Sequence, residues 1–199
     1  MTGATKYRTI ASLALLSFLI LLITSCSNSL FKVKPANELG ALPNTAAIAN
    51  VGTLTFRAAP LLTDEETQEL FESNLQVAGL LPVRVEIIHN SGDVMELKKL
   101  RFRLHDGAGG DWKMISAKQA VSRILKANGV FAYNPNSRKT FEKEFRAYEL
   151  DLKTPLTHAE GKRQGLVIFQ TAKKDPVASP RELVLTVEGL AQPVSLKLN

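Results

Sequence analysis

A short alternation of apolar and polar residues recurs along the last three quarters of this chain, and it limits the fold more than any other feature. Leu100, Phe102 and Leu104 share one face of an extended run whose other face carries Lys99, Arg101, Arg103 and His105. Val83, Val85 and Ile87 oppose Arg84 and Glu86 in the same way, and Leu183, Leu185 and Val187 alternate with Val184, Thr186 and Glu188. A period of two marks a strand with one face on a core. Gly165 to Thr171 is apolar on both faces, as a central strand is. With Leu54 and Phe56, Tyr148 to Leu152, and Val194 to Leu198, the pattern predicts seven strands, near residues 51–59, 81–89, 97–105, 145–153, 165–172, 182–188 and 193–198.

Two helices are set among them. Thr63 followed by Glu66 is a capping box, after which Leu70, Phe71, Leu75 and Ala78 fall at helical spacing and Gly79 stops the run. Ser116 with Gln119 is a second box, leading the stripe Ala117, Ala120, Val121, Ile124 and Leu125 up to Gly129. Each stripe reads as core packing. The segment Phe141 to Phe145 is ambiguous: Phe141, Phe145 and Tyr148 fit helical spacing, while the residues from Tyr148 onward fit a strand. Most connections are too short to hold the crossover helix of a parallel sheet. The expected class is therefore mainly β: an immunoglobulin-like antiparallel β-sandwich over residues 51–199, with two short helices. The chain has one cysteine, so no internal disulfide supports it.

That cysteine lies in the other informative segment. Lys6 and Arg8 precede an uncharged apolar run from Ile10 to Ile23, and Thr24, Ser25 and Cys26 follow. A charged start, an apolar stretch and small residues are the layout of a secretory signal, and the run is short for a membrane span. Leu22-Ile23-Thr24-Ser25-Cys26 resembles the lipobox of bacterial lipoproteins. The resemblance implies a signal helix over residues 1–25, cleavage between Ser25 and Cys26, and a covalent diacylglycerol and acyl lipid on Cys26. A thiolate is the nucleophile that such acyl-lipid transfer needs, and two or three chains make a durable anchor where one is marginal. Ser27 in place of Asp after the cysteine leans, in that family, toward the outer membrane. Residues 26–50, with Pro35, Gly40 and Pro43, then read as the lipidated N-terminus and a flexible tether. Its 24 residues from Ser27 to Asn50 would reach about 25–30 Å as a free coil.

The formal charge of +6 falls to +4 once residues 1–25, which hold Lys6 and Arg8 and no acid, are removed. That modest excess, on an envelope protein, argues against nucleic acid as a partner. The acidic helix ahead of Gly79-Leu80-Leu81-Pro82-Val83, and the turn Gly161-Lys162-Arg163-Gln164-Gly165 before an apolar strand, resemble immunoglobulin-like domains of bacterial lipoproteins with no assigned activity. The resemblance brings no catalytic residues.

The residues themselves offer little chemistry. His89, His105 and His158 lack the paired spacing of a zinc hydrolase, so no metal is expected. Ser91, His89 and Asp93 are too close in sequence for a triad and lie on no nucleophile elbow. The stretch Asp106-Gly107-Ala108-Gly109-Gly110-Asp111 reads as a hairpin turn, not a phosphate loop. One basic run stands out: Lys99, Arg101, Arg103 and His105, with Trp112 beyond the turn, form a candidate binding patch. It would serve acidic lipid head groups, anionic glycan or an acidic partner, or it is a solvated outer face. The expected function is a non-enzymatic accessory or assembly component without a cofactor. It would be held to the cell envelope by its lipid, face the periplasm and bind another envelope protein. The alternative is a binding module for cell-wall glycan or anionic lipid.

Overall fold

The computed structural model of the chain describes residues 29–92 and 94–199. The expected signal peptide and the cleavage site at Ser25 and Cys26 lie outside them. Eight strands form one antiparallel sheet: β1 (Ala47–Val51), β2 (Leu54–Pro60), β3 (Leu80–His89), β4 (Arg101–His105), β5 (Asp111–Ile115), β6 (Lys162–Gln170), β7 (Val184–Glu188) and β8 (Val194–Lys197). Their order is β1-β2-β3-β6-β5-β4-β7-β8. The two end strands, β1 and β8, come to lie side by side, so the sheet curls almost into a barrel. Three helices accompany it: α1 (Asp64–Phe71), α2 (Ala117–Ala127) and α3 (Pro135–Arg146).

The mainly β, antiparallel class is as expected; the arrangement is not two separate sheets. One continuous strand order wraps around one interior, filled from β2 and β3 by Phe56, Val83, Val85 and Ile87 and from β4 and β7 by Phe102, Leu104, Leu185 and Val187. Strand β6 explains its two apolar faces. Val167 and Phe169 point into the barrel, while Leu166 and Ile168 join a second, outer core with Phe71, Val121, Ile124, Phe141 and Phe145 of the helices.

Both capping boxes form, with Thr63 accepting from the Glu66 N–H and Ser116 from the Gln119 N–H. The first helix is shorter than its apolar spacing implies: it ends at Phe71, where Glu72 turns the chain with a left-handed φ of 48°, so Leu75 and Ala78 are buried beyond it and not on it. The third helix is an addition. Asn134 caps it and Pro135 opens it, where a missing N–H costs nothing. It claims Phe141 and Phe145, and the strand expected over 145–153 is reduced to a single bridge between Glu149 and Leu166. The strand expected from residue 97 starts at Arg101, after a 3-10 turn at Leu97–Lys99.

The flexible tether is corrected over residues 29–50. Leu30, Phe31, Val33 and Ala36 pack on the helical core, and Phe31 meets Phe141 with ring centroids 5.2 Å apart. The Lys34 N–H donates to Leu70 O at 2.9 Å, and the Tyr148 hydroxyl donates to Lys34 O at 2.8 Å. Leu39, Leu42 and Ala46 are buried, and the Arg84 guanidinium donates to Gly40 O. Ala47–Val51 is the first strand of the sheet. Apolar residues every few positions hold this strap down without any helical or strand period.

Candidate functional site

The basic strand stands where its alternation puts it. On β4, Phe102 and Leu104 are buried, and Arg101, Arg103 and His105 are exposed. Two of the three side chains meet acidic partners on neighbouring strands. Arg103 Nε lies 2.9 Å from Glu188 Oε1 of β7, and His105 Nδ1 lies 2.5 Å from Asp111 Oδ1 of β5. The Arg101 guanidinium donates to Lys98 O and Leu100 O at 2.9 and 2.8 Å. Lys99 is exposed on the turn before β4. Such surface pairs add little stability, about 0–1 kcal/mol each, but they leave less free positive charge than the sequence implies.

Trp112 is not part of that surface. It faces the barrel interior at 9% exposure, and its Nε1–H donates to Asp106 Oδ2 at 2.8 Å. Burial alone would raise the Asp106 carboxyl. The N–H groups of Gly110 and Ala108, the Trp112 indole and the charge of His105 outweigh it and hold the group below the usual carboxylate range. This aspartate staples the β4–β5 turn. Indole stacking on a glycan is closed off, because the ring is buried in the barrel core.

The histidines separate. His105 is at the hairpin, while His89 and His158 meet with ring centroids 5.9 Å apart. His89 is buried at 2% exposure, and His158 Nδ1 lies 3.3 Å from His89 O. Asp93, the acid of the conceivable triad, is outside the described residues.

The clearest concavity lies where the sheet comes apart. Strands β4 and β5 pair only through Leu104 with Trp112 and His105 with Asp111. Beyond that point β5 follows β6, from Lys113 opposite Gln170 to Ile115 opposite Ile168, while β4 follows β7. Residues 149–156 plug the seam. Leu150 and Leu156 join the barrel core, the Leu150 N–H donates to Leu166 O at 3.0 Å, and Leu156 bridges to Met95. The plug can sit so close to β6 because residue 165 is glycine: a Cβ there would lie 2.6 Å from Leu150 Cα.

The plug does not fill the seam. A groove of about 520 Å³ remains, floored by Met114, Leu150, Leu152 and Val167 and rimmed by Arg146, Glu149, Asp151 and Lys153. Met114 shares the inward face of β5 with Trp112 by the two-residue period, yet it is 42% exposed. The walls are fixed. The Glu149 carboxylate accepts from the Ala117 N–H at the start of α2, and Arg163 donates to Asp151 O, Thr154 O and Pro155 O. The Thr154 side chain leads the groups that hold the Asp151 carboxyl below its ordinary range, with the N–H groups of Lys153 and Thr154 and the nearby Arg163 adding to it. The groove offers apolar contact with charges of both signs around it.

Sequence reasoning missed this groove. The strand β5 is only five residues long, and Lys113 and Met114 blur its alternation. The one readable signal is the Trp112-x-Met114 spacing, which puts a methionine where a core residue belongs. Comparison of the chain with protein-family models, with curated proteins and with solved structures finds no match.

Proposed function

We propose that this chain is a lipoprotein of the bacterial cell envelope, acylated on Cys26 and facing the periplasm from the outer membrane. Its barrel binds another envelope protein and carries out no reaction of its own. The lipobox-like run Leu22 to Cys26 supports the anchor. The seam groove supports the binding role, and one observation carries it: Met114 faces inward by register but is left open to solvent. Apolar floors with a few charged groups at the edge suit a protruding side chain or short segment of a protein. Thioether side chains adapt to varied apolar partners. A glycan is less well served, since Trp112 is buried and Arg103 and His105 are already paired.

A photoreactive phenylalanine analogue in place of Met114, in the full-length protein in cells, tests the role. The expected result is a crosslink to one abundant envelope protein that is absent when the analogue replaces Ile48 on β1. Adducts that are the same from both positions, or no protein adduct from Met114, would overturn it. The anchor has its own check: Cys26→Ala should abolish palmitate incorporation and release the protein from the membrane fraction.

A further inference from the structure

The docked strap changes what the lipid on Cys26 does to the domain. Only residues 27–29 separate Cys26 from Leu30, and Leu30 and Phe31 are packed on the helical core. At no more than about 3.6 Å per residue, Leu30 lies within about 14 Å of an acylated cysteine. A free 24-residue tether would allow any orientation; this spacer holds one end of the molecule against the head groups.

That end can be identified from its hydrogen bonds. The Lys32 N–H donates to Glu72 Oε2 at 2.8 Å, just past the end of α1. The next residue, Ser73, has its Oγ 3.3 Å from Asn128 Nδ2, which opens the loop between α2 and α3. The strap, the end of α1 and the α2–α3 loop therefore converge. In that loop Phe131 is 79% exposed, the largest exposure of any big apolar side chain among the described residues. Lys32 of the strap, Lys126 in the last turn of α2 and Lys139 in the second turn of α3, on the elements that meet or border this loop, are all exposed. None of the three is in an ion pair among the described residues. Helix α2 carries three basic residues and no acid.

We infer that the α2–α3 loop is a membrane-contact element, resting on the lipid-anchor reading above: Phe131 enters the boundary between head groups and acyl chains, and Lys32, Lys126 and Lys139 lie against anionic lipid phosphates. An exposed aromatic flanked by lysines is the chemistry that binds such an interface. The orientation also serves the groove. Ser116 and Arg146, which line it, are at the other ends of α2 and α3. An 11-residue helix spans about 16 Å, so docking the loop end turns the groove away from the bilayer.

The test uses the full-length lipidated protein in vesicles of phosphatidylcholine with phosphatidylglycerol. With Cys26 acylated, Phe131→Cys gives a single thiol for a nitroxide, and Lys153→Cys gives the comparison at the groove rim. The expected result is a several-fold higher ratio of oxygen to water-soluble nickel-chelate collisions at 131 than at 153. That ratio should fall when Lys126→Glu and Lys139→Glu are added, or when phosphatidylglycerol is left out. Equal access of the nickel chelate at both positions, with palmitate incorporation intact, would overturn the contact element and leave the anchor standing. Loss of the anchor is recognised separately, by absent palmitate incorporation, and takes this inference with it.

Discussion

Tyr148 joins three parts of the molecule through one side chain. Its ring packs on Phe71 with centroids 4.9 Å apart, its hydroxyl donates to Lys34 O of the strap, and its backbone oxygen accepts from the Leu166 N–H of β6 at 2.6 Å. Burial, helped by the charge of Glu38, pushes its phenol up to about 12 from an ordinary value near 10. The sign follows from linkage. A folded-state pKa above the unfolded one gives stability that is complete below pH 10 and is lost as pH rises from there toward 12. Tyr148→Phe keeps the ring and removes the hydroxyl. We expect a cost of about 1 kcal/mol at neutral pH, from the lost hydrogen bond, and a shallower decline in stability above pH 10. Denaturant unfolding of both proteins at neutral pH and across the alkaline range measures each part. An unchanged neutral-pH stability would mean that the bond to the strap contributes nothing.

Elements in this protein are decided by close approach as much as by periodicity. Gly165 shows it: a Cβ would meet Leu150 N at 2.7 Å and Tyr148 O at 3.0 Å, so an added methyl displaces the plug that fills the seam. Gly165→Ala should cost about 2–3 kcal/mol, at the upper end of overpacking because the obstacle is backbone. It should also speed hydrogen exchange at the Leu150 and Leu166 amides, whose bonds tie plug to strand. Retained protection at both amides would show that the plug does not depend on the glycine. The same contrast explains what could be read in advance. Strands with a buried face and a solvated face, such as β4 and β7, and helices with full capping boxes were legible, because each signal is local. Strand β1 was not, since Ala47–Val51 carries only one large exposed apolar residue, Ile48, and draws its place from pairing with β2. The stretch 148–152 alternates like a strand but is stopped by α3 before it and has only one bridge to β6. The basic residues of the candidate patch were legible as exposed; their pairing with Glu188 and Asp111 depends on strand order, which no local pattern carries. The groove depends on two strands parting, and was not legible for the same reason.

Across the whole molecule, the strap decides whether the domain is a body on a leash or a body fixed to the anchor proposed at Cys26. It covers the outer side of the sheet as well as the helices. Gln164 Nε2 donates to Leu39 O at 3.3 Å, Arg57 donates to Pro43 O at 3.4 Å, and beneath them Glu86, 3% exposed, is paired with Arg57 at 3.0 Å and Lys162 at 3.2 Å. Removing one partner from such a buried acid is costly, and losing the cover would instead let water reach it. A chain of residues 27–199 should therefore unfold in one transition and be clearly more stable than a chain of residues 47–199. Burial of Leu39 and Leu42, with Leu30, Phe31 and Val33 packed beside the helices, stabilises by a few kcal/mol for each fully buried side chain. Truncation removes that burial and uncovers the apolar surface beneath the strap, so the expected result is a loss of at least about 2 kcal/mol. The longer chain should also resist proteolysis at Lys32 and Lys34, where a free tether would be cut. Equal stability of the two chains, with rapid cleavage at those lysines, would restore the long flexible spacer. The proposed orientation at the membrane would then go with it, because the lipid proposed on Cys26 would again sit at the end of a coil.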